Sequence, residues 1–481
     1  MENMNTPVCE NLNDRYVYRE LNGFADKEAK ALRDEILNTE NTEKYYEITG
    51  TKYYISDKNG NDCNDGRTPE TAFKTPAALD DLALEFGDAV LFERGNTFRL
   101  KNQIMALEGV TYGSYGTGSK PKLLGSPKNY AVNTKWYKHY DQENVWWTIF
   151  PYHKVWNVVL DEGKYVGIPQ EEDPEKKEGS FHHDTFGGLF FLYSEKGDPS
   201  KVYKSIEICP SISIFSVPTD FSNVTIDNLC VKYAANGALN CSARNNNISL
   251  TNCEIGYIGG VLCEPLNVRM GNAIGTWAGN KNLRVDHNWI YQTFDTAISP
   301  QGQYGDPYID ISFCNNLLEY NGIDFEIFDY EGSVFERVRF DNNIMRFTSL
   351  GWSNFYNGIQ LRGIEGNFRA CLHDVKLKDI SFKNNIIDCP GRQLFNTEFD
   401  VGQLKHFDIR GNKIYYNKKL RDKYKEELPI IISDNIEIPE DSEIKVIEKK
   451  RKSIYANNEN ELKIVWKLLS GNDDNELHWV D

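Results

Sequence analysis

Three phrases within residues 283–343 decide the fold: LRVDHN at 283–288, ISFCNN at 311–316 and VRFDNN at 338–343. Each sets two apolar residues two positions apart and closes on an asparagine. The alternation marks a short strand with one buried face, and Asn suits a tight bend because it tolerates left-handed backbone and hydrogen-bonds locally. Working outward, ISLTNC at 248–253 precedes these copies, and ISFKNN at 380–385 and FDIRGN at 407–412 follow. The closing positions Cys253, Asn288, Asn316, Asn343, Asn385 and Asn412 fall mostly one solenoid turn apart. Units in such register predict an all-β fold, a right-handed parallel β-helix whose asparagines stack as a ladder. A coil of this kind needs neighbours above and below and a cover at each end.

The remainder of the 481 residues is organised around that core. Residues 1–50 read as a helical N-terminal extension, with Ala29, Leu32 and Ile36 patterned along a helix over 25–38. Residues 51–135 begin and cap the coil through a strand at 53–56, a turn cluster at 60–68, a short helix at 77–85 and a strand at 89–93. Across 136–208 the repeat is lost, and paired strands at 158–161, 189–193 and 205–208 predict an inserted β subdomain. Residues 209–417 form the β-helix core with its functional face, and 418–481 form a C-terminal capping segment.

A net charge of -17 argues against nucleic acid and an anionic membrane surface as partners, and disfavours a polyuronate substrate. Residues 1–23 lack the apolar core of a signal peptide, and no stretch approaches the roughly twenty apolar residues of a membrane span. A cytoplasmic protein is therefore expected. The ten cysteines include Cys253 on the ladder and Cys230, Cys314 and Cys389 beside it, and they read as buried thiols. No cofactor or metal is implied: His182 and His183 are adjacent in a strand, point to opposite faces and lack a third ligand at suitable spacing. Aromatic residues make up 13% of the chain, more than a solenoid core needs; lining a sugar groove and packing under long loops both account for the surplus.

Residues 53–126 contain YYISDKNGNDCNDGRTPETAFKT, GDAVLFERGNTFR and GVTYGSYGTGSKPKLLGS. Later come NCEIGYIGG at 252–260, RMGNAIGTW at 269–277, YQTFDTAISPQG at 291–302 and IDFEIF at 323–328. The opening phrases resemble right-handed β-helix carbohydrate-active enzymes of the pectate-lyase-like superfamily. The later ones are similar to the glycoside hydrolase branch that includes bacterial lacto-N-biosidases. The resemblance covers about two-thirds of the chain. It implies a glycosidase acting on an oligosaccharide in a bacterial cell, and it fixes no particular sugar.

Glycoside hydrolysis uses two carboxylates across the scissile bond. Strand phase turns Thr296 and Ile298 inward, leaving Asp295, Ala297 and Ser299 outward; in the next coil Ile323, Phe325 and Ile327 go in and Asp324, Glu326 and Phe328 out. Aligning these strands sets Asp295 beside Asp324, with Glu326 diagonal to Asp295 at roughly 8 Å. Asp295, Glu326 and Asp324 are thus the candidate catalytic residues, with Glu326 provisionally the acid and Asp295 the nucleophile or base, an assignment open to reversal. The same phase turns Trp277 of the preceding coil, and Gln360 and Arg362 of the following one, toward the acids. Gln301, Trp352 and Tyr356 join them from adjoining loops, and Arg269 is either a substrate ligand or a structural anchor. Relatives, as the resemblance implies, often carry an acid where this chain has Gly275, in the column aligned with Glu326.

Two other readings stay open. One is a uronic-acid polysaccharide lyase or epimerase, which needs a strong base and a group that neutralises the carboxylate. The other is a non-catalytic carbohydrate-binding β-helix. The sequence also allows a homo-oligomer in which residues 136–208 lend walls to a neighbouring site.

Overall fold

The computed structural model describes residues 21–174, 176–263, 268–329, 332–353, 366–372, 375–391, 393–398, 406–417, 429–433, 436–448 and 452–480. The repeated phrases build one wall of a coil, a parallel sheet that runs from Lys52–Ile55 through Asn280–Asp286, Tyr308–Cys314 and Val334–Arg339 to Phe407–Arg410. A second wall of short strands follows the asparagine bend, among them Trp289–Thr293, Leu317–Glu319 and Ile344–Arg346. A third wall holds Gly237–Cys241, Ile274–Trp277, Thr296–Gly302, Ile323–Asp329 and Gly366–Leu372. The chain is therefore a right-handed parallel β-helix with three strands in each turn. Inward residues of all three walls, such as Ile298, Phe313, Leu318 and Phe325, merge into one core.

The ladder is continuous and buried. Asn316 Oδ1 accepts from the Asn288 N–H at 3.0 Å and from Asn288 Nδ2 at 3.1 Å, while Asn316 Nδ2 donates to the Val285 carbonyl at 3.0 Å. Asn343, Asn385 and Asn412 repeat these contacts, and Asn475 adds a last rung that accepts from the Asn412 N–H at 3.1 Å. The left-handed backbone lies one residue earlier than expected. Asn252, His287, Asn315, Asn342 and Asn384 have φ between 53° and 59°, with Gly411 at 68°. The ladder asparagine itself turns its amide inward, which explains the Asn-Asn pairs: the first makes the bend and the second makes the rung. Another left-handed series, Tyr257, Gln292, Tyr320, Phe347 and Cys389, turns the second wall into the third.

The helix Asp26–Leu37 lies along the side of the coil on the second wall, where Ala29 and Ile36 pack with Leu317 and Ile344. Ala78, Leu79, Leu82 and Leu84 pack against the core near its first strands. At the C-terminal end the helix Glu459–Ser470 begins at Asn458, whose side chain accepts from the Glu461 N–H, and stops at left-handed Gly471. Its Leu462, Val465, Trp466 and Leu469 close the apolar core. The short helix expected at 77–85 is a 3-10 helix, Pro76–Asp81.

Strands between Tyr137 and Pro210 leave the coil as a five-stranded and a three-stranded sheet around Trp136, Phe150, Phe181 and Phe190. Much of the aromatic surplus is spent in this packing. His183 is buried there, its Nδ1 3.1 Å from the Val155 N–H. The unit docks on the coil through Val159, Val166 and Cys209 against Tyr233, Tyr257, Phe294 and Trp352. Cys230, Cys253 and Cys389 are buried thiols, and Cys314 is half-buried. Among the described residues no helix is long and apolar enough to cross a membrane.

One acid lies sealed beneath the bend that follows the second wall. Asp324 is 0% exposed: it stands level with Ala297, itself part of the apolar core, and Thr348 packs against it. Its carboxyl accepts from the Thr348 hydroxyl, from Asn367 Nδ2 at 2.9 Å and from Asn321 Nδ2 at 3.3 Å. Burial pushes its pKa up to about 7, against these three donors.

Removing a rung orphans buried N–H groups on the coil before it, each worth about 1–3 kcal/mol. Asn316→Ala is expected to cost about 2 kcal/mol or more, and Asn475→Ala, at the half-buried end of the ladder, clearly less. Chemical denaturation of the two variants checks this order. Asp324 provides a second prediction. Between its ordinary value of 3.8 and its folded value of about 7, the folded state keeps a proton that the unfolded chain has released. Stability therefore falls as pH rises through that window. Asp324→Asn should flatten the slope, read as the thermal midpoint between about pH 4 and pH 8; equal slopes in the two proteins would refute it.

Candidate active site

The outward face of the third wall is organised in columns, because equivalent residues of successive coils stack about 4.8 Å apart. One column reads Asn240, Gly275, Ser299, Glu326, Arg369 and Asn396. Beside it run Trp277, Gln301 and Phe328. Gly275 does stand in the column of Glu326, two rungs away, as the phase of the sequence indicated.

A cavity of about 290 Å³ opens on this face, lined by Asn236, Asn240, Asn272, Trp277, Gln301 and Phe328 together with Arg269, Asp295, Glu326 and Arg369. Glu326 is 3% exposed. Its Oε1 pairs with Arg369 Nη1 at 2.5 Å, and its Oε2 accepts from the Ser299 hydroxyl at 2.9 Å. Ser299 in turn accepts from Gln301 Nε2 at 2.9 Å. Burial opposes the charge on Arg369, yet its pKa is held above the ordinary arginine value, by Glu326 first among the neighbouring groups and with a contribution from Asp295. One arginine therefore feels both carboxylates.

Asp295 reaches the cavity by a different route from the one expected. Thr296 pairs with Ile323 and Ile298 with Phe325, so Asp324 stands beside Ala297 and Glu326 beside Ser299. Asp295 sits in the bend before the strand, level with Gly322, and is half-buried. The expected Asp295–Asp324 contact was two residues out of register. Four residues of extended chain and one rung separate Asp295 from Glu326, roughly 14 Å between Cα atoms at about 3.3 Å per residue and about 4.8 Å per rung. Gly322 makes the bend possible, since a Cβ there would lie 2.7 Å from the Asp295 carbonyl oxygen and 2.8 Å from that of Phe294.

Among the other expected residues, Trp277 is 37% exposed and lines the cavity with Gln301. Arg269 lines it while donating from Nη1 to the Phe294 carbonyl at 3.2 Å, so it serves as an anchor and as part of the wall. It belongs to a hairpin, Val261–Cys263 with Val268–Met270, whose base crosses itself at Gly259 and Gly271. A Cβ on Gly271 would lie 2.3 Å from the Gly259 Cα. Two expected residues lie elsewhere. Asp324 is sealed under Thr348 and does not line the cavity. Trp352 is buried against Phe294 with its indole N–H on the Gln292 carbonyl at 2.9 Å, because it fills the joint between coil and subdomain. Tyr356, Gln360 and Arg362 lie outside the described residues.

Arg369 was not foreseen. The ladder step from Asn343 to Asn385 spans 42 residues where the preceding one spans 27, and the additional chain precedes the third-wall strand Gly366–Leu372. Arg362 is reached by the alternation of Gln360 and Arg362 within the additional chain, whereas counting back from Asn385 reaches the alternation of Phe368, Arg369, Ala370 and Cys371. The asparagines of the cavity, Asn236, Asn240 and Asn272, carried no signal apart from their places on outward or bend positions.

No family model and no curated protein matches the sequence. Among solved structures, the fold is similar to that of a lacto-N-biosidase of family GH136 from Eubacterium ramulus, with 16% identity over 80% of this chain and 57% of that one and a TM-score of 0.45. It is also similar to XylC in complex with xylose, at 11% identity over 76% of this chain and 69% of that one, TM-score 0.44. A family 28 exopolygalacturonase from Yersinia enterocolitica is 12% identical over 77% of this chain and 66% of that one, TM-score 0.38. The chain spans little more than half the length of the lacto-N-biosidase. Three stacked parallel walls, a buried asparagine ladder and an inserted β subdomain together make this chain a member of the right-handed parallel β-helix proteins.

Proposed function

We propose that the protein is a carbohydrate-active enzyme, specifically a glycoside hydrolase that removes sugar from the end of an oligosaccharide. The observation that carries this reading is that the two acids lining the cavity, Asp295 and Glu326, enter it from different coils and leave a gap between them. A Cα separation of roughly 14 Å by strand and rung spacing favours the roughly 6.5–9.5 Å carboxylate separation of inverting enzymes over the roughly 5–5.5 Å of retaining ones. That gap leaves room for a water molecule on the face of the sugar opposite the leaving group. The exposed Trp277 ring offers an apolar surface for stacking on a pyranose, and Asn236, Asn240 and Asn272 offer amides for its hydroxyls. A cavity of about 290 Å³ suits the end of a chain better than its middle.

A second reading draws on the presence of both Arg269 and Arg369 in the cavity, which would suit a uronate and β-elimination. The ion pair of Arg369 with Glu326 weighs against it, because it holds the guanidinium protonated and so unfit to act as the base. A screen of aryl glycosides and reducing-end-labelled oligosaccharides separates the two. Hydrolysis is expected, with inverted configuration at the new reducing end by proton NMR. Asp295→Asn and Glu326→Gln should each lower turnover by about 100-fold or more, the scale of losing a general acid or base, with the fold retained by circular dichroism. An unsaturated product absorbing in the ultraviolet would replace hydrolysis by elimination, and unchanged turnover in either variant would remove that residue from the mechanism.

A further inference from the structure

Glu326 and Asp295 are not equivalent, and the difference is built into the coil. Glu326 lies on a strand, between Ser299 on one rung and Arg369 on the next, with an oxygen committed to each. Asp295 lies in a bend, half-buried. Arg369 is itself 7% exposed, and while its Nη1 holds Glu326, its Nε–H is buried and makes no hydrogen bond within the protein. A buried donor without a partner costs about 1–3 kcal/mol, a cost that persists only where something else compensates for it. Arg369 also lines the cavity.

We propose that Arg369 is a positioning residue that fixes Glu326 as the ionised carboxylate of the pair and keeps its Nε–H for an oxygen of the bound sugar, which makes Asp295 the proton donor. This rests on the hydrolase reading and reverses the provisional assignment made from sequence. Asp295 gives its proton to the glycosidic oxygen as the bond from that oxygen to the anomeric carbon breaks, and the leaving sugar departs as an alcohol. Glu326 takes a proton from the water whose oxygen forms the new bond to the anomeric carbon. The carboxylate and the acid have exchanged protonation states, and one proton passing through solvent from Glu326 to Asp295 restores them. Ser299 and Gln301 complete the support: the Ser299 hydroxyl donates to Glu326, and the Gln301 amide, donating to Ser299 Oγ, leaves that hydroxyl proton directed at the carboxylate.

The test compares Arg369→Met, Arg369→Lys and Ser299→Ala with the wild type in pH–rate profiles on the best substrate of the glycoside screen. In parallel, the protein labelled with carbon-13 at glutamate carboxyls is titrated by NMR, with Glu326→Gln identifying the signal. Arg369→Met is expected to lower kcat roughly 100-fold, the scale of losing one preorganised donor, and to move the acid limb of the profile up by about one pH unit or more. Arg369→Lys should keep the limb near its wild-type position while recovering only part of kcat. Ser299→Ala should shift the limb upward by less than Arg369→Met. A merely structural arginine would lower stability and activity without moving the limb, and that result overturns the proposal. It is also overturned if Asp295→Asn, rather than Glu326→Gln, abolishes the acid limb. The NMR titration keeps the two readings separate. If no glycoside is hydrolysed but the Glu326 signal titrates higher in Arg369→Met, the hydrolase reading fails and the ion-pair control stands. If hydrolysis needs both acids but the Glu326 signal does not move, the control fails and the hydrolase stands.

Discussion

A buried amide has two donor and two acceptor positions to satisfy, and the asparagine ladder satisfies them within and between neighbouring coils. Asn288 Nδ2 reaches the Leu250 carbonyl of the preceding coil and the Asp286 carbonyl of its own, while Asn288 Oδ1 receives the Cys253 N–H. Every rung thus ties one turn to its neighbours in a medium where an unpaired amide is costly. The tie also fixes axial register, since a slip by one residue would bury the wrong group in the ladder and turn the inward face of each strand outward. Everything mounted on the third wall inherits its position from this constraint.

The cavity shows how register becomes geometry. Glu326 and Arg369 meet because their strands are neighbours and in phase. Asp295 arrives from a bend whose place is set by Gly322 on the next coil, where only a hydrogen atom fits beneath two carbonyl oxygens. One carboxylate is therefore held by the regular lattice of the sheet, the other by an interruption in it. Two acids of the same chemical type acquire different surroundings from that contrast alone, the condition under which a carboxylate pair can divide acid and base roles.

The first wall was legible because its strands alternate cleanly and end on a residue whose burial is obligatory. The Asn-Asn pairs were legible too, although sequence placed the left-handed bend on the wrong member, since Asn is suited both to that backbone and to the rung. The third wall was readable in phase but not in register. Ile298 does point inward, yet Ala297, expected outward, also joins the core, and the pairing of Thr296 with Ile323 depends on a bend between the second and third walls that is made by Gln292 and Tyr320, residues with no general taste for positive φ. Arg369 escaped notice because the additional chain in that coil carries an alternation of its own, Gln360 and Arg362. Trp352 and Asp324 looked exposed from strand and loop logic alone; the inserted subdomain covers one, and Thr348 covers the other.

The attachment of the N-terminal helix bears on how the molecule is made. The backbone N–H groups of Phe24 and Ala25 are held by Asp388, more than 360 positions along the chain, and Arg33 is held by Glu319. During synthesis this helix leaves the ribosome before the coils that receive it, and that surface is not assembled until most of the coil has been translated. A parallel solenoid can wind vectorially, turn upon turn, as it emerges. The helix, made before those coils, then docks only after they have wound, a clasp that spans turns far apart in sequence.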